Sequence, residues 1–206
     1  MIWRFLPLVG TLLVIGIAGC WRPWLQMRRH GTWGVVMFRP GNRGQLIRDS
    51  MAIVLLALLL VQAAAIAVQG EPLAAFGRGY LAAPGLAAQL AGSALLFGGL
   101  ALLVTAQLDL GASWRIGIDE NARPGLVTSG LYRFSRNPIF LALLIALAGY
   151  VMLVPTPLSL ALLAGAYLGI RQQIVEEEKY LLQTYGEAYR DYARRVGRFL
   201  SIGKLQ

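Results

Sequence analysis

Two short polar segments of the chain carry side chains that can bind a charged small molecule and hold it in position for a reaction. The first contains Arg136 and Asn137 and ends where an apolar run begins. The second contains Gln173 and Glu176–Glu178 and begins soon after another apolar run ends. A carboxylate at the edge of a bilayer is costly unless it is paired or used, so these residues are candidates for a functional site. Their grouping favours an enzyme over a simple membrane anchor.

Within the acidic run, the helical repeat distinguishes Glu177 from its neighbours. Gln173 and Leu181 lie four residues before and after Glu177, which places all three on one face of a helix. Ile174 lies on the same side, so we expect Glu177 to point into the protein. Glu176 is instead expected to be solvated and to pair with a basic side chain.

The apolar runs that flank these segments are typical of a membrane protein. Of the 206 residues, 57% are hydrophobic and 14% are charged, whereas about a quarter of the residues in a soluble domain are charged. The runs are Phe5–Trp21, Met51–Val68, Leu86–Leu108, Ile139–Val154 and Leu158–Ile170. They predict an all-α integral membrane protein with about five transmembrane helices. We expect residues 1–206 to form a single domain without internal repeats.

The basic residues predict how the chain is oriented in the membrane. Of the 19 Lys and Arg residues, six lie within residues 22–48, four within 115–136 and seven from 171 onward. Because positive residues concentrate in cytoplasmic segments, five crossings put the N-terminus outside and the C-terminus in the cytoplasm. Topology and attraction to anionic lipid headgroups therefore account for the net charge of +9, which does not indicate nucleic-acid binding.

Metal and disulfide chemistry are not predicted, because Cys20 is the only cysteine and His30 the only histidine. Ile17–Cys20 is similar to a lipoprotein processing site. Cleavage there would leave the following Arg-rich stretch outside the membrane, against the charge rule, so we expect a retained first helix. The aromatics Trp24 and Trp33 among these arginines predict that part of residues 22–49 lies flat in the headgroup layer.

The last two apolar runs, 16 and 13 residues long, are short for a bilayer that takes about 20 residues to cross. Pro155–Pro157 predicts a tight turn between them and therefore an antiparallel hairpin. This hairpin brings Asn137 and Glu177 to the same level, at or slightly within the headgroup boundary. Pro138 is expected at the first position of the fourth helix.

Three other features concern the connections and the helix contacts. Residues 109–137 form a long polar connection of the kind that often carries function. Glu187–Val196 has the pattern of an amphipathic helix lying in the membrane interface. Gly92, Gly98 and Gly99 in the third apolar run are expected to let helices approach closely.

Several of these segments together resemble the isoprenylcysteine carboxyl methyltransferases. These are membrane enzymes that use S-adenosylmethionine and are related to phospholipid methyltransferases. The resemblance runs from about Leu110 to Phe199. It is carried by Leu110–Trp114, Leu126–Gly130 with Tyr132, Arg136–Phe140, Glu177–Glu178, and Tyr185–Gly186 with Tyr189 and Tyr192. Each segment is weak alone, but their order and spacing are specific.

The apolar runs predict that residues 1–108 supply three membrane helices with a basic interfacial loop. The resemblance implies that residues 109–206 form a cofactor-binding region, which also contains helices four and five and a C-terminal amphipathic helix. The implied cofactor-binding residues are Pro124, Gly125, Leu126, Val127, Tyr132, Asn137, Pro138, Ile139, Phe140 and Glu177. Gln173, Arg136 and Glu178 are the predicted catalytic residues. The chemistry agrees, since aromatic rings attract a sulfonium and a carboxylate accepts hydrogen bonds from an ammonium or hydroxyls.

Two positions depart from the family pattern. The family has His where this chain has Asn137, which can still donate and accept hydrogen bonds. The family also has Arg, in contact with the substrate carboxylate, where this chain has Gln173. Arg171 lies on another face of the helix. These departures put carboxylate methylation in doubt while leaving methyl transfer intact.

The sequence therefore predicts a methyltransferase in a bacterial or archaeal cytoplasmic membrane. It uses S-adenosylmethionine from the cytoplasm and a lipophilic or amphipathic acceptor that enters from the lipid. An amine acceptor must lose a proton, and Glu178 or Tyr132 are the candidate bases. The alternatives are a phospholipid or other lipid amine N-methyltransferase, a nicotinamide-dependent reductase, and a non-catalytic membrane protein that binds a cofactor or lipid.

Overall fold

The computed structural model of the chain describes residues 2–38, 42–72, 79–117 and 125–200. Its helices are α1 (Leu6–Val14), α2 (Arg22–His30), α3 (Arg43–Gln69), α4 (Leu86–Asp109), α5 (Pro138–Leu153), α6 (Pro157–Tyr185) and α7 (Glu187–Arg195). A 3-10 turn at Ile2–Phe5 precedes α1, and a π-helical segment at Ile15–Trp21 joins α1 to α2. Two further 3-10 turns, Gly111–Ser113 and Gly130–Arg133, follow α4. The predicted all-α class is confirmed.

Four helical stretches are long and apolar enough to cross a membrane, judged by length and composition. They are Ile2–His30, Arg43–Gln69, Leu86–Asp109 and Pro157–Tyr185. The helix α5 is also apolar but shorter, as the sequence predicted. The prediction of a helical membrane protein is confirmed, while the number of crossings and the side on which each terminus lies stay predictions.

The closest helix packing in the described part of the chain is between α4 and α5. A Cβ atom placed on Gly99 would lie 2.6 Å from the backbone nitrogen of Ala146, and one on Gly92 would lie 3.0 Å from the carbonyl oxygen of Gly149. Gly98 faces open space, with no atom within 4 Å of such a Cβ. The predicted role of small residues is therefore found at Gly92 and Gly99, and it is wrong for Gly98.

A short turn joins α5 to α6, as the prolines predicted. Thr156 caps α6 by accepting a hydrogen bond from the Ser159 amide, and the Ser159 hydroxyl accepts one from the Thr156 amide, both at 3.1 Å. Gln62 on α3 donates to the Thr156 hydroxyl at 2.7 Å and accepts from the Tyr150 hydroxyl at 3.1 Å. This buried network ties the turn to α3, and α6 then runs without a break to Tyr185.

The N-terminal helix extends further than the sequence predicted. Residues Arg22–His30 continue the helix through the π-helical segment instead of lying apart from it. Arg22 is 2% exposed and donates to the carbonyl oxygens of Gln107 at 3.2 Å and Gly111 at 2.7 Å. Its guanidinium also lies 4.7 Å from the Trp114 ring centroid. The sequence placed Arg22 in a basic connection between helices, whereas the structure shows it within a helix and bound to the segment that follows α4.

The segments after α2 and after α4 pair with each other. The Val36 amide donates to the Ile116 carbonyl at 2.8 Å, and the Ile116 amide donates to the Gly34 carbonyl at 2.7 Å. Gln45 at the start of α3 donates to the Val36 carbonyl at 2.7 Å. These contacts hold residues 34–36 between the start of α3 and the segment that follows α4.

We expect Gly99→Ala to lower the melting temperature of the detergent-solubilised protein, because the added methyl group collides with the α5 backbone. Overpacking of this kind costs about 1–3 kcal/mol. The matched control is Gly98→Ala, which meets open space and gains about 1 kcal/mol of helix propensity. Circular dichroism melts of both variants measure the difference. Equal melting temperatures would contradict the packing described here.

Candidate active site

A cavity of about 550 Å³ lies among α1, α3, α5 and α6 and reaches α7. Its polar end is lined by Arg48, Arg115, Tyr132, Arg136, Asn137, Gln173, Glu177, Glu178, Tyr189 and Tyr192. Its apolar branch follows α5 to Tyr150 and is lined by Leu55, Leu59, Leu143, Leu147, Gly165 and Ala166. Small-ligand sites typically have volumes of about 300–1,000 Å³, so the cavity is large enough for a cofactor or substrate.

Most of the site residues predicted from the sequence line this cavity. They are Gly125, Leu126, Val127, Tyr132, Arg136, Asn137, Ile139, Phe140, Gln173, Glu177 and Glu178. Pro138 is buried at the first position of α5, as predicted. Pro124 lies outside the described residues. The structure brings this set together, while what each residue binds stays a prediction.

Asp109 at the end of α4 positions the 3-10 turn that carries Tyr132. Its carboxylate oxygen Oδ2 accepts a hydrogen bond from the Leu131 amide at 2.7 Å. Gly130 has φ of +60°, and a Cβ there would overlap the Asp109 carboxylate. Glycine is therefore required at Gly130 both for its backbone conformation and for the close carboxylate. This contact ties the turn directly to the end of a membrane helix.

Tyr132 is buried in a setting that keeps its hydroxyl protonated. Burial raises the pKa of Tyr132 well above its usual value of about 10, and the nearby Glu177 carboxylate raises it further. The Tyr132 carbonyl accepts a hydrogen bond from the Tyr192 hydroxyl at 2.6 Å, which fixes the turn against α7. At neutral pH this phenol can donate a hydrogen bond, and it is disfavoured as the base that an amine acceptor needs.

Glu178 is held between two arginines. One carboxylate oxygen lies 2.9 Å from Nη2 of Arg136, and the other lies 2.7 Å from Nη2 of Arg198. The Arg198 Nε also donates to this carboxylate, at 3.1 Å. With both oxygens engaged, Glu178 is better suited to positioning the arginines than to accepting a proton. The buried Nε of Arg136 has no hydrogen-bond partner in the described part of the chain, so it can donate to a ligand.

The C-terminal tail holds the turn that precedes α5. The Arg136 amide donates to the Gly197 carbonyl at 2.9 Å, and the Asn137 side-chain amide donates to the Arg198 carbonyl at 3.1 Å. The Ser135 hydroxyl accepts from the Asn137 backbone amide at 3.1 Å. The side-chain oxygen of Asn137 and the second N–H of its side-chain amide are left for a ligand. The tail was not part of the site predicted from the sequence.

The inward face of α6 is the one that the helical repeat predicted. Ile174 is buried, and Glu177 lines the cavity, where its Oε1 accepts a hydrogen bond from the Gln173 side-chain amide at 2.9 Å. Glu176 instead forms an exposed ion pair with Lys179 at 2.8 Å, also as predicted.

Arg48 of α3 is a site residue that the sequence analysis missed. Its Nε donates to the Gln173 side-chain oxygen at 3.0 Å, and it lines the cavity. In the sequence Arg48 was counted only among the basic residues that set the topology. One feature of the sequence could have identified Arg48 as a site residue, namely that it is the last arginine before an apolar run.

The helix α7 does not present its apolar face to lipid, which corrects the interfacial assignment. Tyr189, Tyr192 and Val196 are buried and pack with Leu126 and Leu181. The amphipathic pattern was read correctly as a helix, but its apolar side covers the cavity. A single sequence cannot distinguish these two partners, because lipid and a protein interior both accept the same apolar stripe.

Two comparisons with known proteins bear on this site. Residues 87–188 match the sequence profile of the phospholipid methyltransferase family. The fold is similar to the structure of a eukaryotic intramembrane Ras methyltransferase, an isoprenylcysteine carboxyl methyltransferase, with a TM-score of 0.56 and 17% identity. The similarity covers 88% of this chain and 60% of that protein, so this chain spans less than two thirds of its length. No curated protein matches the sequence significantly. The profile match and the shared fold confirm the resemblance found in the sequence.

We expect Glu178→Gln to destabilise the protein, because it leaves Arg136 and Arg198 without their shared carboxylate. The side chains of Glu178 and Arg136 are only 15% and 13% exposed, so the loss should be about 1–3 kcal/mol. The control is Glu187→Gln, which breaks an exposed surface pair with Arg190 worth about 1 kcal/mol or less. Thermal unfolding in detergent compares the two, and an equal effect would argue against the positioning role of Glu178.

Proposed function

We propose that this chain is a membrane-embedded methyltransferase that uses S-adenosylmethionine and a lipophilic or amphipathic acceptor. The observation that carries the proposal is the continuity of the cavity, whose polar end opens directly into the apolar branch. A polar cofactor and an apolar acceptor can therefore meet in one space. The match of residues 87–188 to a methyltransferase family supports the same reaction class.

The residues at the polar end fit the chemical groups of S-adenosylmethionine. Glu177 is an acceptor for its ammonium or its ribose hydroxyls, and the rings of Tyr132 and Phe140 suit the sulfonium. The free amides in the first turn of α5 and the unpartnered Nε of Arg136 suit the carboxylate. When bound, the cofactor supplies an electrophilic methyl group.

A second orphaned group also fits a polar ligand. The side-chain oxygen Oε1 of Gln107 is buried without a hydrogen-bond partner in the described part of the chain, and Gln107 lines the cavity. A buried acceptor left unpaired costs about 1–3 kcal/mol. A ligand N–H or hydroxyl at this position would remove that cost.

The acceptor is proposed to occupy the apolar branch. This branch is walled by leucines from α3 and α5 and by the small residues Gly165 and Ala166 of α6. An apolar chain that enters this branch from the bilayer gains little from the hydrophobic effect, so van der Waals contacts with these residues hold it. We infer that such an acceptor enters sideways from the bilayer, because its apolar part is already dissolved in the lipid.

The protein's contribution to the reaction is mainly alignment and the exclusion of water. Methyl transfer is an in-line displacement, and correct placement of the two reactants can lower the barrier by several kcal/mol. Tyr189 and Tyr192 of α7 cover the polar end of the cavity and help to keep water out. Because Tyr132 stays protonated and Glu178 is ion-paired, an acceptor that is already an anion suits this site better than a protonated amine.

A lipid amine N-methyltransferase is the second candidate, and the match to the phospholipid methyltransferase family favours it. Carboxyl methylation and amine methylation can be distinguished in inverted membrane vesicles that are given S-adenosylmethionine labelled in its methyl group. Ester products lose the label on mild base treatment, whereas N-methylated lipids keep it. Label transfer in right-side-out vesicles alone would contradict a cytoplasmic site. Absence of transfer in either orientation, with cofactor bound, would favour a non-catalytic protein.

We expect Glu177→Gln to weaken S-adenosylmethionine binding about 10- to 100-fold, since a charge-assisted hydrogen bond contributes about 1.5–3 kcal/mol. Calorimetry on the detergent-purified chain measures the affinity. Glu176→Gln is the matched control, because Glu176 is the preceding residue and its carboxylate pairs with Lys179 at the surface. The proposal fails if Glu177→Gln binds like the unaltered chain, or if NADPH binds and S-adenosylmethionine does not.

A further inference from the structure

Arg48 reaches the polar end of the cavity from α3 and joins a chain of side-chain hydrogen bonds. Its Nε donates to Oε1 of Gln173 at 3.0 Å, and Nε2 of Gln173 donates to Oε1 of Glu177 at 2.9 Å. Gln173 thus separates the guanidinium from the carboxylate and is held in one orientation by both. Arg48 and Glu177 present opposite charges to the same cavity without forming a direct ion pair.

The two terminal nitrogens of the Arg48 guanidinium have no anionic partner in the part of the chain that the structure describes. Among residues 2–38, 42–72, 79–117 and 125–200, no carboxylate lies within ion-pair distance of the guanidinium. The neighbouring Asp49 accepts a hydrogen bond from the Phe38 amide at 2.8 Å instead. Nε is used by Gln173, and no described residue accepts a hydrogen bond from the two terminal nitrogens, so their four N–H donors are open to a ligand. A planar guanidinium with free donors binds carboxylate and phosphate oxygens well.

Arg48 also lies at the end of an apolar stripe on the same helix. Met51, Ala52, Leu55 and Leu59 line the cavity, and they follow Arg48 by three, four, seven and eleven residues. This spacing places them on one face of α3, and at 1.5 Å per residue the stripe is about 16 Å long. The cavity wall therefore offers one cation followed by an apolar surface, which matches a molecule with an anionic head and an apolar chain.

We propose that Arg48 is the anion-binding residue of the acceptor site and that it selects amphiphiles carrying a carboxylate or a phosphate. The inference rests on the proposed function, and it names the acceptor's chemical class. The anionic head binds the terminal nitrogens of Arg48, and the chain lies along the α3 stripe. Glu177, on the other side of Gln173, is left to the cofactor.

The test measures binding of dodecanoate, dodecyl phosphate and dodecanol to the full chain in a nonionic detergent. We expect the unaltered chain to bind at least one anionic probe about tenfold or more tightly than dodecanol. A preference for dodecanoate identifies a carboxylate acceptor, and a preference for dodecyl phosphate identifies a phospholipid-like one. Equal affinity for all three probes overturns the inference.

Arg48→Gln should lose about 10- to 100-fold in affinity for the preferred anionic probe and keep its affinity for dodecanol. Arg43→Gln is the matched control, because Arg43 is exposed on the same helix and should bind all probes as the unaltered chain does. Undiminished binding by Arg48→Gln, or an equal loss in Arg43→Gln, overturns the inference. If Arg48→Gln does not fold, Arg48→Lys serves instead, with weaker anion binding expected because it lacks the planar fork.

A charge relocation provides an independent check. Gln173 is the direct partner of Arg48, but a guanidinium introduced by Gln173→Arg would pair with Glu177, four residues further along the helix. The check therefore adds Gln173→Arg to a chain that already carries Arg48→Gln and Glu177→Gln. We expect this addition to recover most of the anionic-probe affinity, and failure to recover any would count against the inference. Calorimetry with S-adenosylmethionine distinguishes a failure of the proposed function from a failure of the inference about Arg48. If the unaltered chain does not bind the cofactor, the proposed function fails, whereas the probe affinities report on Arg48 alone.

Discussion

The close approach of α4 and α5 is the constraint on which the rest of the structure depends. Gly99 and Gly149 bring the two backbones together at a distance that no larger residue permits. Because α4 ends at Asp109 and α5 begins at Pro138, this packing sets the two ends of the connecting loop. Van der Waals packing of small residues is a principal source of helix association in a bilayer, where helices gain little from the hydrophobic effect.

The polar end of the cavity is built on those two helix ends. Asp109 holds the turn that carries Tyr132, and the tail residue Arg198 links the start of α5 to Glu178 on α6. Each of these partly buried carboxylates thus has defined partners, which offset the cost of removing it from water. These hydrogen bonds and ion pairs hold the side chains of the site in place, which suits a reaction whose main demand is the alignment of two molecules.

Some charged side chains of the cavity form ion pairs with each other, and others are kept apart. Glu178 is paired with two arginines, whereas Glu177 and Arg48 are kept apart by the Gln173 amide. A direct ion pair between Glu177 and Arg48 would leave neither group free for a ligand. The amide therefore leaves a carboxylate and a guanidinium facing one cavity, next to its apolar branch. The family match and the shared fold agree with a membrane methyltransferase scaffold.

The sequence by itself determined the helices, the turn before α6 and the inward direction of Glu177, because each depends on residues within about four positions of one another. The tertiary structure alone decided that Arg22 is buried, that Arg48 reaches the site and that α7 covers the cavity. Arg48 and its partner Gln173 are 125 residues apart. Such contacts follow from how helices pack, and local periodicity does not specify which polar groups on separate helices will meet.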